Sequence, residues 1–247
     1  SESGTQSVTI TIPENESAPT VALSVSATSI AENSGSSLTI TATLSVATFQ
    51  DVTVSIDGTG GTGTEGTDFG TVSDITISAG NTTGTATVDP TDDSVYEGNE
   101  TAGISISGVS GGGASESGSQ SVTITITENE STPTVTLTVS ATSIAENAGS
   151  SLTLTATLSG ASDEAVTVAI GTSGTATEGT DYTDGSGVID DMTISAGSTT
   201  ATANFTPTDD SIYEGSETAT VSISSVSGAD SSISGGSQSV TITITDN

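Results

Sequence analysis

The chain has 247 residues, 31 of them Asp or Glu, with no Lys, Arg, His or Cys, so its formal charge is -31. That balance excludes nucleic-acid and anionic-membrane binding through basic side chains. It also excludes disulfides, thiolate metal sites and Lys-dependent isopeptide cross-links. No apolar run reaches the length of a membrane span, so no membrane insertion is expected. The first residues lack a signal-peptide pattern, so the targeting segment of a secreted protein would lie outside this sequence.

Residues 8–12 (Val-Thr-Ile-Thr-Ile) alternate apolar and polar, as a half-buried strand does. The next predicted strands lie near 20–27, 37–45, 51–57, 72–78, 83–89, 101–107 and 119–127, all of period two and none helical. Their inward residues include Val21, Leu23 and Val25, Leu38, Ile40 and Leu44, and Val52, Val54 and Ile56. Ile75 and Ile77, Ala86 and Val88, and Ile104 and Ile106 continue the set, while Thr and Ser fill the outward positions. Seven short strands with Gly, Asn and Ser turns predict a β-sandwich.

The pattern then starts again. Ile30-Ala31-Glu32-Asn33 returns as Ile144-Ala145-Glu146-Asn147, and Thr64-Glu65-Gly66-Thr67-Asp68-Phe69 as Thr177-Glu178-Gly179-Thr180-Asp181-Tyr182. The Val-Thr-Ile-Thr-Ile phrase occurs again at 122–126 and 240–244. This is a tandem array: one repeat over 17–130 and a second over 131–247. In the second, Leu152, Leu154, Leu158, Val166, Val168, Ile170 and Phe205 face inward. Residues 1–16 read as the last strand of a preceding repeat.

The acidic residues follow the strand count. Asp92, Asp93, Glu97 and Glu100 fall within nine residues and return as Asp209, Asp210, Glu214 and Glu217. Carboxylates so close repel one another unless a cation separates them, and no side chain of this protein is one. Successive strands of a sandwich run up and down, so alternate connections share an end. The connections carrying Glu32, Asp68 and residues 92–100 therefore meet at one tip, where the final strand also delivers Glu128-Asn129-Glu130. Calcium, a hard ion taking six to eight oxygen ligands, fits such a tip.

These parts resemble the Calx-beta repeat: Glu32, the Gly66-Thr67-Asp68-Phe69 turn, the Asp-Asp-x-x-Tyr-Glu-x-x-Glu stretch and the closing Thr-Ile-Thr strand. The resemblance covers both repeats and implies an all-β protein of tandem Ig-like Greek-key β-sandwiches that bind Ca2+ through loops at one tip. Carried over by position, it implies ligands Glu32, Asp68, Asp92, Asp93, Glu97, Glu100, Glu128 and Glu130 in the first repeat. In the second they are Glu146, Asp181, Asp209, Asp210, Glu214, Glu217 and Asp246. So many carboxylates exceed the needs of one ion, so more than one calcium per tip is expected.

Other residues have plainer readings. Tyr96 and Tyr213 read as core or corner tyrosines; Glu65 and Glu178, which recur beside the tip, read as solvated acids, with ligation as the alternative. Asp89 becomes Thr206 in the second repeat, and Asp51, Asp57, Asp74, Asp163 and Asp230 read as surface charge. Few catalytic schemes survive without His, Cys or Lys, so no enzyme is expected. The expectation is a calcium-stiffened structural or adhesive segment of a long extracellular protein or filament. Its partners would be calcium ions and neighbouring repeats or copies of itself, joined by strand addition or end-to-end stacking. A calcium sensor or buffer coupled to another domain, and a calcium-dependent carbohydrate-binding module, are the alternatives.

Overall fold

A computed structural model describes residues 4–247. The chain gathers into two compact units. One holds the described residues up to Ile30 with Ser36–Pro90 and Thr101–Thr125; the other holds Ala31–Gly35, Thr91–Glu100 and Ile126–Asn247.

Each repeat is a pair of mostly antiparallel sheets. In the first, one sheet runs Thr83–Val88, Leu38–Leu44, Thr20–Val25, Ser115–Glu116. The other runs Ser29–Ala31, Ser121–Thr127, Glu100–Ser110, Val52–Gly61, Ile75–Ile77. The second repeat follows the same plan, with Thr200–Pro207, Leu152–Leu158, Thr134–Val139 and Ser232–Ile233 in one sheet. Its other sheet orders Ser143–Ala145, Ser239–Thr245, Glu217–Ser227, Val166–Gly174 and Met192–Ile194. The fold is therefore all-β, in tandem sandwiches as the alternation and the repeat predict, with the Ig-like plan that the resemblance implies.

Period-two placement decides which face is buried. Val21 pairs with Leu44 and Val25 with Ile40; Leu38, Ile40, Ala42 and Leu44 are buried while Thr43 between them is exposed. Each fully buried Val, Leu or Ile side chain contributes about 1.5–3 kcal/mol. In the second repeat Tyr182 stacks on Phe205 with ring centroids 4.6 Å apart. Phe69 and Val88 hold these places in the first and are also buried.

Three features depart from the sequence reading. The first predicted strand ends at Val25, and a further short strand follows it inside the predicted connection. Thr20–Val25 pairs with Leu38–Leu44, and Ser29–Ala31 then lies in the opposite sheet beside Ser121–Thr127. Ser26 marks the departure: its hydroxyl oxygen accepts the Thr39 N–H at 2.9 Å, closing the ladder with a side chain. Ser140 does the same for Thr153 at 3.0 Å.

The second departure is in the acid roles. The ladder between Val52–Gly61 and Glu100–Ser110 slips at Ser55/Ile56, and its counterpart slips at Ala169/Ile170. Such a bulge strands an amide. Asp74 accepts the Ile56 N–H at 3.0 Å, and Asp191 the Ile170 N–H at 2.9 Å. Asp74 is thus a bulge anchor and no idle surface charge. Asp51 likewise accepts the Ala79 N–H at 2.8 Å.

The third concerns the N-terminal segment. Residues 1–3 lie outside the described residues, and residues 8–12 form no strand although they spell the same phrase as two that do. Val8, Ile10 and Ile12 are exposed. A strand needs a neighbour to satisfy its ladder, and no strand of the described residues supplies one here.

Candidate metal centre

The Ser121–Thr127 strand runs into Glu128, which organises the tip. Its Oε2 accepts the N–H groups of Glu97 and Gly98 at 2.6 and 2.8 Å, and its Oε1 those of Asn129 and Glu130, both at 2.8 Å. Asn99 returns a bond by accepting the Glu128 N–H at 3.0 Å. The left-handed Gly98 (φ 75°) turns two successive amides toward one carboxylate, a conformation glycine adopts freely. Burial pushes Glu128 up, but the Glu130 and Glu97 amides, a side-chain bond to Glu130 and the Gly98 amide outweigh it and bring it to about 2.

In the second repeat Asp246 has this place, accepting Glu214 and Gly215 N–H groups at 2.8 and 2.6 Å and held below its ordinary value mainly by the Gly215 amide. A carboxylate offers about four lone-pair sites. Four backbone amides converge on Glu128, so in this conformation it braces the turn.

Around this brace the acids gather. One carboxylate oxygen each of Glu32, Asp92 and Glu130 lie within 4.8 Å of one another. Glu32 is buried, and its Oε1 also accepts the Asn129 N–H at 3.4 Å. Burial, then the neighbouring Glu130 and Glu128, push Glu32 up to about 8. Glu130 Oε2 is buried and accepts no hydrogen bond.

A second group joins Asp181, Glu214 and Glu217, again within 4.8 Å. Asp181 sits on a tight turn, its Oδ2 accepting the Thr177 N–H at 2.6 Å while Tyr182 is buried beneath. Burial and then the Asp181 charge raise both Glu214 and Glu217. Asp68, Glu97 and Glu100 hold the corresponding positions of the first repeat. There the Asp68 turn is built alike, accepting the Thr64 N–H at 2.6 Å.

Other residues expected as ligands are engaged with their own loops. Asp93 and Asp210 each accept the amide two residues on, Val95 and Ile212, at 2.7 Å. Glu146 is buried and accepts the Asn247 N–H at 3.2 Å, while the Asn247 side chain donates to Asp209 at 3.2 Å. Glu65 and Glu178 are fasteners of the turn: Glu65 accepts the Val72 N–H at 2.7 Å and Glu178 the Ile189 N–H at 2.6 Å. Their recurrence beside Asp68 and Asp181 was the available signal, since a merely solvated acid has no reason to recur.

Sandwiches with acidic loop clusters, in which every donor is a carboxylate oxygen, define a class of β-domain suited to hard cations. A buried carboxylate oxygen without a donor, beside two further carboxylates, fits a divalent ion such as calcium. The Calx-beta domain model matches residues 14–130 and 128–247, so the chain belongs to the Calx-beta family. Similar solved structures include CBD12 from CALX1.2, at 16% identity and a TM-score of 0.40, covering 91% of this chain and 99% of that one. Calcium binding domain CBD12 of CALX1.1 is 14% identical, with a TM-score of 0.38 and coverage of 88% and 96%. Invasin, a bacterial integrin-binding protein, is 19% identical, with a TM-score of 0.39 and coverage of 92% and 40%. No curated protein matches the chain.

Proposed function

We propose that the protein is a calcium-binding structural or adhesive segment of a long extracellular protein, in which the ion does mechanical and not chemical work. Glu32, Asp92 and Glu130 would hold one ion and Asp181, Glu214 and Glu217 another. The observation that carries this reading is the gathering of carboxylates in a chain with no basic side chain at all. An ion between Glu32, Asp92 and Glu130 would tie the linker 128–130 to the loops that carry the other two, stiffening the passage into the next repeat. Extracellular calcium is abundant enough for weak sites of this kind, and no helix among the described residues is long and apolar enough to cross a membrane. In the same scheme, residues 1–16 supply the closing strand of a neighbouring repeat.

The test is a calcium titration by equilibrium dialysis, with small-angle scattering in calcium and in chelator. Saturable binding of at least one ion per repeat, with a longer and less variable particle in calcium, is expected. Absence of binding overturns the proposal; binding with unchanged dimensions overturns the stiffening alone.

A further inference from the structure

Within the second compact unit, the short strand Val95–Tyr96 lies parallel to Ala161–Ser162, pairing Val95 with Ala161 and Tyr96 with Ser162. The Asp163 N–H donates to the Tyr96 carbonyl at 3.2 Å, and the Tyr96 hydroxyl donates to Asp230 at 3.2 Å. Tyr96 belongs to the apolar core of that unit, where a tyrosine hydroxyl needs an acceptor. Asp230 is therefore a tyrosine acceptor and not surface charge. The seat around it is held by bonds of its own. Ser162 donates its hydroxyl to the Glu164 carbonyl at 2.7 Å, and its carbonyl accepts the Gly197 N–H at 2.7 Å. The Glu164 carboxylate in turn accepts the Ala229 N–H at 3.0 Å, fixing the turn that presents Asp230.

That turn is strained. Ala229 and Asp230 carry φ of 51° and 49°, a conformation that non-glycine residues adopt at a cost. No other non-glycine residue among the described residues has a positive φ. The turn itself does not call for these side chains. Its first-repeat counterpart is Gly111-Gly112-Gly113, with φ of 92°, 56° and 68° against 99°, 51° and 49° at Gly228-Ala229-Asp230. Glycine makes the same backbone without strain. What an aspartate at 230 adds is a carboxylate for the Tyr96 hydroxyl, and what an alanine at 229 adds is a buried methyl in the core that holds the Tyr96 ring.

We propose that Ala229 and Asp230 are specificity residues that recognise the tyrosine turn Val95–Tyr96 and fasten it to the Ala161–Ser162 seat. The strain of the Ala229–Asp230 turn is offset by the tyrosine alone. A phenylalanine would fill the same apolar space but bring no donor to the carboxylate. The fastening does not depend on ion binding, so it holds residues 91–100 in place with or without calcium.

Hydrogen exchange of the Asp163 amide reports on the seat, because that N–H is bonded to the Tyr96 carbonyl. The full chain is compared, in chelator and again in calcium, as the parent protein, Tyr96→Phe, Asp230→Gly and the double variant. Tyr96→Phe is expected to speed Asp163 exchange about fivefold, the worth of one such bond. With Tyr96 present, Asp230→Gly is expected to speed it too, because the lost bond outweighs the relieved strain. In Tyr96→Phe protein the same change is expected to slow it, because only strain remains to be relieved. The Ile56 amide, bonded to Asp74, is expected to exchange alike in all four. The cycle isolates the pair from its surroundings. An Asp230→Gly effect equal in both backgrounds overturns the proposal, as does a reversal of sign seen only in calcium.

Discussion

Glu128 accepts the Gly98 N–H at 2.8 Å, and Asp246 accepts the Gly215 N–H at 2.6 Å at the matching place in the second repeat. A carboxylate one methylene shorter does the same work. The recurrence identifies the bond as part of the fold. Glu128→Ala should leave the Glu97 and Gly98 amides without their acceptor and cost about 3 kcal/mol. Asp57→Ala, at a half-buried position whose carboxylate accepts the Thr59 N–H and hydroxyl, should cost less, about 0.5–1.5 kcal/mol. Urea unfolding in chelator compares the two.

Glu32 sets a pH dependence. Its carboxyl rises from 4.5 to about 8 on folding without an ion. Between those values the folded state binds more protons than the unfolded one, so stability falls as pH rises through that window and is level outside it. Glu128, depressed to about 2, works the other way: its contribution is present above its unfolded value and lost as pH falls toward 2. Melting temperature in chelator should therefore decline from pH 5 to pH 8. Glu32→Gln should flatten that decline, as should saturating calcium, which replaces the proton.

Chelation should lower the melting temperature markedly. A ligand that binds only the native state, at a hundredfold excess over its dissociation constant, adds about 2.7 kcal/mol. Asp93 offers a finer test. Its oxygen accepts the Val95 N–H, a bond that Asn also makes, so Asp93→Asn should keep the apo melting temperature. If Asp93 also binds the ion, the variant loses calcium affinity; if it only shapes the turn, the titration is unchanged.

Asp74→Ala should strand the Ile56 amide at the bulge and cost about 1–3 kcal/mol. Calcium stoichiometry should not change, because the Asp74 carboxylate serves the sheet. Isothermal titration beside a denaturation curve separates the two effects.

Much of this was legible because both sandwich faces obey one rule. Leu38, Ile40, Val52, Val54 and Ile104 are buried where alternation puts them. The convergence of Glu32, Asp92 and Glu130 followed from counting strands, since connections of one parity share an end. What stayed illegible depends on partners distant in sequence. Nothing local in Asp74 or Glu65 announces the amide it will accept, and Asp230 reads as surface charge until Tyr96 reaches it. The Ser29–Ala31 strand was missed because it follows a change of sheet that breaks the period: Ile30 is buried an odd number of residues after Val25, inside what reads as a connection. Residues 8–12 show the converse: alternation specifies a strand only where a neighbour receives it.

That change of sheet also fixes how a repeat meets tension. In the second repeat, Ser143–Ala145 near the entry lies parallel to the exit strand Ser239–Thr245, pairing Ser143 with Thr243, Ile144 with Ile244 and Ala145 with Thr245. Pulling the two ends apart drives these neighbours past each other along their length. The bonds between them are then loaded together in shear and cannot be peeled one at a time. Resistance to such pulling is governed by the unfolding rate and not by equilibrium stability, so a sandwich of modest thermal stability can still be a strong link in a chain.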